Sequence, residues 1–207
     1  MKKLTFLFAG LFLMANVASS QGIDDRAVIP VAITLNSILR LNVTSGGNIE
    51  FNFNTLNDYQ HGIQTSAAYQ TKFNVASSVN WNVIMYAEDA NLTGTDVITA
   101  GEASANTMLI NNIGYHISSE GSLEDNYNFS SNDPAAPVAL TAADNTIAVG
   151  FDTTPNAGDI NANSFTIHWR CGTSEGGGMN PSSILSQGIA ADRYATNVFL
   201  ILQPAVN

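Results

Sequence analysis

From residue 21 onward, apolar and polar residues alternate with a period of two in nearly every apolar segment, and no segment sustains a helical period. The clearest case is Asn48-Ile49-Glu50-Phe51-Asn52-Phe53-Asn54, where Ile49, Phe51 and Phe53 point one way and the polar residues the other. A strand of this kind has one dry and one wet face, as in an antiparallel sheet. Ser45-Gly46-Gly47 reads as a turn before it, so the pattern predicts a hairpin pairing residues 38–43 with 49–53. Upstream, Ile29, Val31, Ile33 and Leu35 alternate as well, and Pro30 suits an edge or a strand start.

The same period predicts strands at 69–75, 79–87, 107–110, 113–117, 146–151, 164–171 and 194–202. In the second of these Trp81 points inward among aliphatic residues, with Asn80 and Asn82 outward. The last is apolar on both faces towards its end, which predicts a central strand. Residues 88–96 and 121–137 are polar and read as loops, and 172–192 joins the last two strands through Gly176-Gly177-Gly178. About eight to ten short strands with turns between them predict an all-β, antiparallel two-sheet β-sandwich, Ig-like or pilin-like, with long polar loops. No repeat or linker divides it, so 21–207 reads as a single β-sandwich domain.

Residues 1–20 stand apart. Lys2 and Lys3, an apolar run over 4–14 and the small residues Ala18, Ser19 and Ser20 have the form of a secretory signal peptide cleaved after Ser20. Without it, five basic residues face seventeen acids, a formal charge of −12. Such a chain repels nucleic acid and anionic lipid. No other apolar run is long enough to span a bilayer, so the expectation is an exported protein, extracellular or at the cell surface, without membrane insertion. Cys171 is the single cysteine, so an internal disulfide is excluded.

The strongest metal candidate is Asp89-Ala90-Asn91-Leu92-Thr93-Gly94-Thr95-Asp96. Oxygen side chains at its positions 1, 3 and 5 with glycine at 6 match the start of a calcium loop, with Asp89, Asn91, Thr93 and Asp96 as ligands. Position 12 is Ala100 instead of a bidentate glutamate, and a plain hairpin loop explains the same residues. Beyond that Ca2+ candidate no cofactor is expected. His61, His116 and His168 lack zinc spacing, and no Gly-x-Ser-x-Gly elbow occurs, so no catalysis is expected. Tyr59 and Tyr127, placed in loops, are candidates for stacking on sugars, which would make the protein a carbohydrate-binding module.

The C-terminal run Ser182-Ser183-Ile184-Leu185-Ser186-Gln187-Gly188, then residues 190–194 and a long apolar strand ending at Pro204, resembles the ending of bacterial surface β-sandwich proteins of the fimbrial and spore-coat-U-like type. The early hairpin and the Trp81 strand are also similar to WxL-type surface domains, although the triplet here is Trp81-Asn82-Val83. Fimbrial domains often carry a disulfide, and this chain departs from them there. The resemblance implies a non-catalytic filament, fimbrial or coat subunit whose partners are copies of itself or related surface subunits. Its physics would be strand addition, with 21–35 as donor through Ile29, Val31, Ile33 and Leu35. The alternative is that 21–35 forms the first strand of its own sandwich.

Overall fold

The computed structural model describes residues 27, 29–97, 105–122, 127–150 and 156–205. The expected signal peptide, its cleavage point and the start of the 21–35 segment lie outside the described residues. The chain divides into two units, one ending at Leu35 and the other running from Asn36 to Asn207. In the first, the described residues form no strand, and Ile29, Val31, Ile33 and Leu35 are 82%, 83%, 81% and 89% exposed.

The second unit is all-β and sandwich-like, with its strands in three antiparallel sheets instead of two. Its strands are β1 (Leu39–Ser45), β2 (Gln70–Ser77), β3 (Trp81–Ala87), β4 (Asn91–Val97), β5 (Ala105–Leu109), β6 (Ile113–Ser119), β7 (Tyr127–Phe129), β8 (Val138–Ala139), β9 (Asn145–Gly150), β10 (Ser164–Cys171), β11 (Tyr194–Ala195) and β12 (Val198–Pro204); one short helix, α1 (Leu56–His61), lies between β1 and β2. The largest sheet has the order β1-β2-β10-β6-β8, the second β12-β3-β9-β7, and the smallest β11-β4-β5.

Period-two patterning does what physics asks of it in β2, β3 and β10. Phe73 and Val75, Trp81, Val83 and Met85, and Phe165 and Ile167 are all buried, and together they fill the core. Trp81 sits at its centre, with ring centroids 5.7 Å from both Tyr127 and Phe165. Its indole N–H donates to the Asn156 carbonyl at 2.8 Å, and the Asn156 side chain bonds both backbone groups of Trp81, so no polar atom of the pair is stranded.

Four expectations are corrected here. The predicted hairpin does not form: β1 pairs with β2, from Leu39 opposite Ser77 to Ser45 opposite Lys72. The turn steers it there. Gly46 adopts φ +67°, and a Cβ on it would lie 1.8 Å from the Gln70 carbonyl, so only glycine lets the chain close onto β2. Residues 91–97 are strand β4 and not loop; at its described inward positions it carries just Leu92 and Gly94, too little apolar signal to show a period. Residues 127–129 are strand β7, hidden in sequence among Asn and Ser. Finally, 194–202 is not one central strand. It breaks at Thr196-Asn197, where the Asn197 carbonyl accepts from the Glu88 N–H, and β12 is a sheet edge paired with β3 alone. Its two-faced apolarity has another cause: Leu200 and Leu202 pack on the core, while Phe199 stacks on Tyr86 across the outer face at 5.2 Å.

Candidate functional site

A groove of about 880 Å³ opens in the second unit between residues 46–54 and residues 189–200. Leu140, Ile167, Trp169 and Cys171 line it from the core side. One wall is the alternating segment 48–54. Ile49 and Phe51 turn inward against the core, and Phe51 stacks on Tyr69 at 4.6 Å. Glu50, Asn52 and Asn54 are exposed. Among the described residues, 47–53 make no backbone–backbone hydrogen bond and join no sheet. The segment therefore has the side-chain pattern of a strand without the ladder that normally satisfies its N–H and C=O groups.

Its far end is fixed by α1. The Asp58 carboxylate accepts from the backbone N–H groups of Asn54 and Thr55 at 3.0 and 2.9 Å, and the Asp58 N–H donates to the Thr55 hydroxyl. The two backbone bonds, from Thr55 and then Asn54, hold the Asp58 carboxyl below its ordinary range.

The opposite wall is residues 189–200, ending in β12, whose outer edge has no partner strand among the described residues. Asp192 sets its position. The carboxylate accepts from the Thr95 N–H and hydroxyl, the Asp96 N–H, the Asn106 amide and the Arg193 N–H, at 2.6–3.1 Å. Gly94 leaves it room, since a Cβ there would stand 2.2 Å from the carboxylate. Burial alone would raise the Asp192 pKa; the hydrogen bonds, the Asn106 amide and Asp96 N–H foremost, outweigh it and hold the carboxyl well below the usual carboxylate range. On the same wall the Thr196 hydroxyl is buried without a partner.

A depressed folded-state pKa means stability that is present above the ordinary carboxylate pKa and lost as pH falls through the folded value. Asp192→Asn is therefore expected to melt below the wild type at pH 7, with the gap closing as the solution is acidified below about pH 4. Thermal melts of both proteins between pH 7 and pH 2 check this.

The sequence-derived site residues fall in different places. Asp89 lies in the β3–β4 turn and Asn91, Thr93 and Asp96 lie along β4, which advances about 3.3 Å per residue and spreads them instead of wrapping them round an ion. The N–H groups of Thr95 and Asp96 point at an anion, the Asp192 carboxylate, which is the opposite polarity to a calcium loop. Tyr59 lines the groove, with its ring edge-on to Phe53 at 5.4 Å. Tyr127 is corrected: it is a core residue, 5% exposed, whose hydroxyl donates to Asn163, and no sugar can stack on it. Ile29, Val31, Ile33 and Leu35 belong to the first unit and are exposed.

A second polar cluster spans the outer face of the large sheet. His116 and His168, opposite one another on β6 and β10, stack nearly parallel at 4.4 Å. Burial, then the charges of His168 and Arg170, push the His116 pKa down to about 4. Arg170 donates to Glu175 and to the Pro134 carbonyl. No group of three His, Cys, Asp or Glu among the described residues is placed to hold a metal ion. Burial raises the Cys171 thiol to about 12, so it is inert as a nucleophile.

Comparison with protein-family models finds no match, and a search of curated proteins finds none.

Proposed function

We propose that this chain is a non-catalytic structural subunit, exported to the cell surface, that joins copies of itself by strand addition. Residues 29–35 of one copy would enter the groove of the next. The observation that carries this reading is a pair of complementary unsatisfied features. Four large apolar side chains alternate along a seven-residue segment and stand more than four-fifths exposed. A groove on the other unit offers apolar depth between a segment and a sheet edge that have no partner strand among the described residues.

Strand addition satisfies both at once: main-chain hydrogen bonds form on the free backbone, and alternate side chains fill the groove. Pro30 lacks an N–H and sits near the start of the segment, where one ladder bond is the whole loss. Full burial of four such side chains contributes about 6–12 kcal/mol gross. Association costs about 4–15 kcal/mol, so the backbone bonds decide whether copies hold together.

The test is the size of the mature chain (21–207) by light scattering and negative-stain microscopy. Assemblies that lengthen with concentration are expected, and a monomer at every concentration overturns the reading.

A further inference from the structure

The two walls of the groove are tied together across its mouth. Arg193 Nε on the 189–200 wall lies 3.3 Å from Glu50 Oε1 on the 48–54 wall. Glu50 is the single charged residue in 48–54, and its neighbours there are Asn, Phe and Ile. Arg193 is one of five basic residues that remain after residue 20. Its backbone N–H is held by the Asp192 carboxylate, so the guanidinium reaches over from a fixed base. The Glu50 end is held less directly: residues 47–53 make no backbone–backbone hydrogen bond among the described residues, and the nearest anchors are Asn54 and Thr55, capped onto Asp58. The side chains themselves are 61% and 51% exposed and compete with water.

We infer that the Arg193–Glu50 ion pair is a strap that restrains strand entry into the groove, an inference that rests on the strand-addition reading. A strand arriving from solvent must pass between the two walls, and the pair crosses that path. Its exposure makes it a weak barrier by design of the chemistry: an exposed ion pair is worth little, and less as salt rises. A strap of this kind slows capture without blocking it, and leaves both charges able to point into water once the strand is seated.

The probe is a fluorescent, end-capped synthetic peptide of residues 27–37, which carries no charged side chain, so salt does not steer its encounter. Its uptake is followed by fluorescence anisotropy with the full mature chain, at low protein concentration. Glu50→Gln and Arg193→Gln are expected to take up the peptide about 1.4- to 5-fold faster than the wild type at low salt, the range set by exposed ion pairs. Added salt should bring the wild type up to the variants' rate and leave the variants unchanged. The swap Glu50→Arg with Arg193→Glu should restore the slow rate. Binding at one rate in all these proteins, with no salt effect confined to the wild type, overturns the strap and leaves strand addition standing. No binding by wild type or variants removes strand addition, and the strap with it.

Discussion

Val31→Asp together with Ile33→Asp should leave a chain of residues 21–207 monomeric at concentrations where the wild type is expected to assemble. Both side chains are more than four-fifths exposed, so the changes remove no folded-state contact of consequence and the melting temperature should hold. In an assembly they would lie in the groove. Two lost burials are worth about 3–6 kcal/mol, and each carboxylate adds a desolvation cost of several more. A combined loss above about 4 kcal/mol weakens association by more than a thousandfold. The control is Thr34→Asp, on the opposite face of the alternating segment, which should assemble almost as the wild type does. Light scattering of the three proteins, beside their melting curves, separates loss of assembly from loss of fold.

The largest effect on stability is expected at Trp81. Its side chain is fully buried between Tyr127 and Phe165, and truncating such a residue to alanine costs about 3–5 kcal/mol. The lost indole N–H also leaves the carbonyl of Asn156, a fully buried residue, without its partner, adding about 1–3 kcal/mol. Against a domain stability of about 5–15 kcal/mol, Trp81→Ala should unfold at far lower urea or fail to fold. Trp81→Phe keeps an aromatic ring of smaller volume and loses the donor, so it should fall between the two. Urea titration followed by circular dichroism ranks them.

What the sequence shows about this fold follows the reach of each signal. β2, β3 and β10 are legible because each carries large apolar residues at successive inward positions, Phe73 and Val75 in β2, Trp81, Val83 and Met85 in β3, and Phe165, Ile167 and Trp169 in β10. The alternation over 48–54 is equally clear, and the side-chain directions read from it are right. Its partner is not legible, because pairing was decided by Gly46 closing onto Gln70, a contact between backbones. β4 carries only Leu92 and Gly94 at its described inward positions, and β7 is three residues long between Asn- and Ser-rich flanks, so both look like loops. The groove itself was out of reach of the sequence. Its walls come from residues more than a hundred positions apart, and Asp192, which sets one of them, is held by donors on Thr95, Asp96 and Asn106. By spacing alone the glycine in 89–96 fits a cation loop, whereas in the fold Gly94 is the space that admits this carboxylate.

The most direct measurement is a disulfide cross-link between copies. One chain carries Ile33→Cys, and a second of different mass carries a single cysteine on the groove at Val43, Ile49 or Leu200. Native Cys171 lines the same groove, so both chains carry Cys171→Ser to keep it out of the reaction. A disulfide forms only where the two Cα atoms come within about 7 Å. Strand addition predicts a mixed dimer for at least one of the three groove positions and none with a cysteine placed at exposed Ser182. No mixed dimer at any groove position would contradict it.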